Sequence, residues 1–191
     1  LASDPSLARE IQLQLASRGI PLKLGSVVRD LGVDATCARV RRIPTQRGRC
    51  AKGMARARVI KGLLKRKAQA RTLVNTGARP QLTWGHQAKG MAPSTISKLK
   101  ATIGVCSGLR RPGGCTTTAL QMQGGVLADP EFYIRYELLT TWLKVWEELS
   151  HIHLAIKQGW EGLLPKLEVR SRWNRTTGII SAVISTLIDI G

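Results

Sequence analysis

From Ala35 to Ala128 the sequence contains no aspartate and no glutamate. Those 94 residues hold 19 of the 30 Lys and Arg side chains, whereas residues 1–34 carry 4 basic and 4 acidic groups and residues 129–191 carry 7 and 8. The formal net charge of +18 therefore arises in the middle of the chain. A run of five or six cations reads as a solvated face. A stretch this long repels itself in the folded state, and a polyanion that neutralises it is the simplest reason to tolerate the cost. Nucleic acid is the leading partner and an anionic membrane the second.

Other absences narrow the function. No run of about 18 apolar residues is present and no signal-peptide pattern opens the chain, which speaks against a membrane and for a soluble intracellular protein, nuclear or cytoplasmic. The four cysteines, Cys37, Cys50, Cys106 and Cys115, form no CxxC pair, so reduced thiols are expected. A zinc site from Cys106, Cys115 and His86 matches no common ligand spacing. Two-metal phosphoryl transfer needs carboxylates, and the basic middle has none. HExxH, the GxxxxGKS/T phosphate loop, GxGxxG after a strand and hydrolytic triads are also missing. Asp30 and Asp34 flank Leu-Gly-Val, where Asp34 reads as a turn residue rather than a metal ligand. No catalytic residue, no metal ligand and no cofactor is therefore assigned to this stretch.

What is present is mostly helical pattern. At 43% hydrophobic residues the chain can bury one core, or a core with an appended subdomain. It begins with Leu1, the expectation being a piece of something longer or a processed product. Asp4-Pro5 and Gly19 bracket a short helix with Leu7, Ile11 and Leu15 on one face. Residues 20–44 have β-branched runs broken by Gly25, Gly32 and Asp34, which predicts a hairpin or three short strands. From Thr45 to Asn75, Cys50, Met54, Ala57, Ile60, Leu64 and Ala68 recur at steps of three or four, predicting a long helix that Gly48, Gly53 and Gly62 bend or shorten. Its remaining surface carries Arg47, Arg49, Lys52, Arg56, Arg58, Lys61, Lys65, Arg66, Lys67 and Arg71. With no acidic i+4 partners these read as phosphate contacts, against a solvated face or a nuclear-import patch at 65–67.

Pro93 opens a helix with Ile96, Leu99, Ile103 and Cys106 inward and Lys98 and Lys100 outward, both further candidate phosphate contacts. A turn at 110–114 and a short helix ending at Gly124-Gly125 follow. Asp129-Pro130-Glu131 starts the clearest helix, where Phe132, Tyr136, Leu139, Trp142 or Leu143, and Trp146 form a stripe that reads as core before it reads as a stacking platform for bases. His151 and His153 read as ordinary polar positions. The last segment sets Ile180, Val183, Ile184, Leu187 and Ile188 on one wide apolar face. The fold class is mainly α with a small N-terminal β element. Three regions are expected: 1–45, the basic helical 46–125, and a near-neutral helical extension over 126–191.

Four pieces, in order, resemble the region after the catalytic palm in reverse transcriptases of non-LTR, LINE-type retrotransposons. RDLGVD at 29–34 resembles the YLGV element of the primer-grip hairpin, which makes Leu31, Gly32 and Val33 primer-grip-like. The Arg- and Lys-rich helix comes next. ARPQLTWGHQAKGMAPSTISKLKATI at 78–103 is similar to the thumb signature: Pro80 precedes the element, Trp84 stands for a tyrosine, Gly85 is kept, His86 and Gln87 take the polar positions, and Ser97-Lys98-Leu99 falls in the helix. GGCTTTALQM and the helical region after it resemble extensions of divergent members. The resemblance covers residues 1–125 and implies a thumb-like bundle gripping RNA–DNA hybrid or RNA duplex. The aspartates that bind Mg2+ would lie in a palm upstream of Leu1, as part of an RNA-directed DNA polymerase that this stretch alone does not complete. In the thumb reading, Gly77 and Pro80 form a turn between helices, Gly85 allows close packing, and Trp84 packs in the core in preference to stacking on a base or sugar. The alternative from the residues alone is a stand-alone basic RNA- or DNA-binding scaffold protein; a degenerate element is a third.

Overall fold

The computed structural model describes residues 4–25, 27–30, 32–36, 38–109 and 113–191. Helix α1 (Pro5–Ala16) is capped by Asp4, whose carboxylate accepts from the Ser6 N–H at 2.8 Å. Strands β1 (Val28–Asp30) and β2 (Val33–Ala35) form an antiparallel hairpin with Asp30 opposite Val33. Gly32 turns the hairpin at φ +82°, a left-handed conformation that glycine adopts without a Cβ penalty. The remainder is helical: α2 (Pro44–Leu64), α3 (Arg79–Thr83), α4 (His86–Lys89), α5 (Pro93–Cys106), α6 (Thr116–Gly124), α7 (Pro130–Glu148), α8 (His153–Leu167), α9 (Arg172–Arg175) and α10 (Ile179–Ile190). The chain is mainly α with a small β element near its start. Among the described residues no helix is long and apolar enough to cross a membrane.

The basic helix is shorter than its periodicity predicts. It stops at Leu64, where Lys65, Arg66 and Lys67 follow in succession and their charges suit the carbonyl end of the helix. A 3-10 turn at Ala68–Arg71 and a π-helical segment at Val74–Ala78 carry the chain back onto α2. Gly77 lies in that segment and Pro80 in the first turn of α3, so the expected inter-helix turn at these residues is instead helix. Of the expected turn at 110–114 only Gly113 and Gly114 are described.

Two apolar clusters form the interior. The first gathers Ala57 and Ile60 of α2, Leu82 of α3, Ile96, Leu99 and Ile103 of α5, Leu120 of α6 and Ile134 of α7. The second gathers Leu138 and Trp142 of α7, Ile156 of α8, and Ala182 and Val183 of α10. Each fully buried leucine here contributes about 1.5–3 kcal/mol. Because α7 supplies both clusters, residues 126–191 pack onto the basic region. Two polar contacts reinforce the junction: Lys100 of α5 meets Asp129 at 3.1 Å and Glu131 at 2.9 Å, and Gln87 donates to Glu137 at 2.8 Å.

The aromatic stripe expected in the core is only partly buried: Trp142 lies in the core and Leu139 and Trp146 pack against it. The buried side chains are Ile134, Leu138 and Trp142, while Phe132, Tyr136 and Leu143 are exposed. Helix α10 departs in the other direction, with Ser181 through Thr186 all buried. Two of its small polar groups are satisfied internally: Ser181 Oγ receives the N–H groups of Thr177 and Gly178 at 3.0 Å, and Ser185 meets Thr176 at 3.0 Å. Leu187, expected on the packed face, is exposed.

The glycines of α2 have opposite roles despite sharing one helix. A Cβ at Gly48 meets nothing within 4 Å, whereas one at Gly53 would sit 2.7 Å from Leu82 Cδ2, a side chain with no room to move. Gly48→Ala is expected to raise stability by about 0.5–1 kcal/mol through helix propensity. The same change at Gly53 is expected to lower it by about 1–2 kcal/mol, overpacking outweighing the same gain. Thermal melts of the two variants check the opposite signs.

Candidate nucleic-acid interface

Helix α2 sets the cations out in two rows. At 3.6 residues per turn, Arg49, Lys52 and Arg56 follow one flank and Arg47, Arg58, Lys61 and Lys65 the other. Between them, facing solvent, run Gly48, Ala51, Ala55, Val59 and Gly62, all exposed. Every cation of α2 except the half-buried Arg49 is exposed, as are Arg66, Lys67 and Arg71 beyond its end. None of these cations forms an ion pair among the described residues. Arg56 donates to the Gly77 carbonyl at 3.3 Å and Arg71 faces the Gln123 amide, contacts that leave both charges uncompensated.

The hairpin meets the first turns of α2. Asp34 lies in β2 rather than in a turn and is only 2% exposed. Its two carboxylate oxygens accept the N–H groups of Thr45 and Gln46, each at 3.1 Å, so it caps α2 from eleven and twelve residues away. Helix N-termini favour such a carboxylate because their first N–H groups lack intrahelical partners. Asp34→Asn is expected to cost about 2 kcal/mol, since an amide satisfies at most one of the two donors. Urea denaturation measures it, and a loss below about 0.5 kcal/mol would show that water replaces the cap.

The same junction brings the primer-grip-like and thumb-signature residues together. Gly85, at φ +75°, lies against Val33, where an added Cβ would meet Val33 Cγ2 at 3.4 Å. The Trp84 indole nitrogen lies over Gly32, and the Arg49 guanidinium sits 4.6 Å from the Trp84 ring centroid. Trp84 is 47% exposed, so it is a surface residue and not the core residue expected of it. The hairpin tip displaces it outward, leaving Leu82 to fill the core below. The gap among Gly32, Val33, Asp34, Trp84 and Gly85 is only about 10 Å³, too small for a ligand. This is a surface, not a pocket. Leu31 and Cys37 lie outside the described residues.

The other signature residues hold the scaffold. Pro80 is exposed at the start of α3. His86 is buried against Tyr133, with ring centroids 5.6 Å apart; its Nδ1 meets the Thr83 carbonyl and its Nε2 has no partner among the described residues. Burial lowers its pKa, so it is neutral at neutral pH. Gln87 is engaged by Glu137. Of the α5 candidates, Lys98 is exposed, but Lys100 is taken up by Asp129 and Glu131. Burial works against its charged form, yet those two carboxylates outweigh burial and hold its pKa above the usual value. No three His, Cys, Asp or Glu side chains gather as metal ligands among the described residues, and Cys106, Cys115 and His86 do not meet.

Besides Lys100, Arg41 and Lys89 of the basic region are structural, which charge counting misses. Arg41 donates to the carbonyls of Lys89 at 2.6 Å and Gly90 at 2.8 Å and to Gln46 Oε1 at 3.2 Å, with Trp173 5.4 Å away. Burial, then the charge of Arg47, lowers its pKa to about 10, still charged at neutral pH. Lys89 is buried and donates to the Thr177 carbonyl. No local motif marks either residue, because the carbonyls that accept from them lie 48 or more positions away. Comparison with protein-family models, with curated proteins and with solved structures finds no match to this chain.

Proposed function

We propose that this chain is a nucleic-acid-binding, thumb-like part of an RNA-directed DNA polymerase of the reverse-transcriptase kind, and that it grips duplex through phosphates. The observation that carries the reading is α2, with two unpaired cation rows on either side of a smooth strip. From Gly48 to Gly62 that strip is about 21 Å long, roughly six nucleotide steps along one strand. Small residues let a backbone approach closely while the flanking cations reach its phosphates. The one amide of α2, Gln46, is buried, so the outer surface offers no Asn or Gln to read a base edge. Such a surface holds duplex without choosing sequence, which is what a translocating grip needs. In this reading the catalytic carboxylates and their Mg2+ belong to a preceding palm, and Trp84 with Arg49 marks where the hairpin meets the grip.

The test is binding of a labelled RNA–DNA hybrid, an RNA duplex and single strands across a salt series. Hybrid or RNA duplex is expected to bind more tightly than single strands, and Arg56→Glu/Lys61→Glu/Lys65→Glu to weaken binding and flatten its salt dependence. Unchanged affinity in that variant removes the assignment of α2. Strong preference for one folded RNA over hybrid replaces the polymerase reading with that of a basic scaffold protein.

A further inference from the structure

Helix α7 carries a second apolar face that its own fold uses only in part. Phe132, Tyr136, Leu139, Leu143 and Trp146 follow one another at steps of four, three, four and three, the spacing of a helix-pairing seam. The intramolecular core takes Ile134, Leu138 and Trp142, and Leu139 and Trp146 of the seam are half-buried against it. Phe132, Tyr136 and Leu143 are left 42%, 46% and 58% exposed. Large apolar side chains left facing water along one helix face mark an interaction surface more often than chance.

The two ends of this seam differ in shape. Near the start of α7 the Phe132 and Tyr136 rings stack on each other, with centroids 5.8 Å apart and planes 13° from parallel, and project from the surface. Near its end α7 and α8 enclose a groove of about 440 Å³ lined by Trp142, Leu143, Trp146, Ile156 and Trp160. The projecting rings centre on position 134 and the groove, along α7, on position 144. Both lie about 7.5 Å from Leu139 at 1.5 Å per residue.

We propose that this face pairs with the same face of a second copy of the chain, α7 against α7 and antiparallel about Leu139. A two-fold axis there seats the Phe132–Tyr136 pair of each copy in the tryptophan groove of the other, so one surface supplies both projection and recess, as an isologous dimer requires. Charge favours the same occupant. Although the chain carries +18, residues 129–191 hold 7 basic and 8 acidic side chains, so the seam itself is not repelled. A nucleic-acid strand stacking on Phe132 would find little cationic support, since Arg135 is already paired with Glu131 at 3.0 Å.

Sedimentation equilibrium of the 191-residue chain without nucleic acid tests the pairing. Two paired helices make a small interface, so half-dissociation is expected on the order of 10 µM. Tryptophan emission should shift to the blue as the dimer forms and the groove dries. Tyr136→Glu and Leu143→Glu, both at exposed sites, are expected to leave circular dichroism and melting unchanged and to weaken dimerisation at least 10-fold. A chain that stays monomeric to several hundred µM overturns the proposal, as does a dimer indifferent to Leu143→Glu. Quenching of the groove tryptophans by single-stranded oligo(dT) in a monomeric Trp84→Phe sample also overturns it, and assigns the face to nucleobases.

Discussion

Arg41→Ala is expected to destabilise the chain by about 3 kcal/mol, the largest loss expected from a single substitution here. Its guanidinium ties the segment before α2 to the end of α4 through the Lys89 and Gly90 carbonyls, and also reaches Gln46 on the first turn of α2. The Arg41 N–H donates to the Asn174 carbonyl at 2.8 Å, which brings the C-terminal region into the same knot. Truncation leaves the Lys89 carbonyl without this donor and opens a space against Trp173. Buried acceptors deprived of a charged donor cost more than exposed ones, because water does not replace it. Arg41→Lys should recover only part of the loss, since one ammonium lacks the planar fork that spans three acceptors. Urea unfolding with an unchanged slope measures both. A loss under about 1 kcal/mol for Arg41→Ala would mean that the hairpin and C-terminal contacts hold without the clamp.

The second large effect falls on binding. If α2 grips duplex as proposed, reversing Arg56, Lys61 and Lys65 removes up to three phosphate contacts and replaces each with repulsion. The slope of log affinity against log salt is expected to fall by about 2.7, at about 0.9 per phosphate. At low salt the affinity for duplex is expected to fall by about 100-fold or more, and the loss should shrink as salt rises. The three side chains are exposed, and among the described residues only Arg56 makes a further hydrogen bond, at 3.3 Å to Gly77. Circular dichroism and melting should therefore stay close to the parent chain, which separates lost grip from lost fold. Because the three residues lie on both flanks of α2, a loss confined to Arg56 or to the Lys61–Lys65 row would show which flank meets the phosphates.

Where one helix face is apolar and the other polar, the pattern reads through to the structure. In α5 the expected inward residues Ile96, Leu99, Ile103 and Cys106 are all buried. Helix α7 carries two apolar faces of the same period, and period alone does not say which one finds a partner inside the chain. Trp84 followed similar logic: a tryptophan beside Leu82 reads as core until the Gly32 turn occupies the space beneath it. Asp34 read as a turn residue because its role depends on N–H groups eleven and twelve positions later, beyond the range of capping motifs.

The cations divide along the same line. That α2 displays its charges was legible, because a stretch without carboxylates contains nothing to neutralise them. That Arg41, Lys89 and Lys100 are taken up inside the fold was not, since each meets acceptors from elements distant in the chain. The sequence by itself determined the class of the protein, mainly helical and cationic through its middle, because composition and three-to-four-residue periodicity are local properties. Only the tertiary structure decided which face of α7 is buried, which cations remain open to a partner, and that Trp84 and the hairpin share one surface. Those outcomes rest on contacts between residues tens of positions apart, where packing and hydrogen-bond geometry choose among arrangements that local pattern leaves equal.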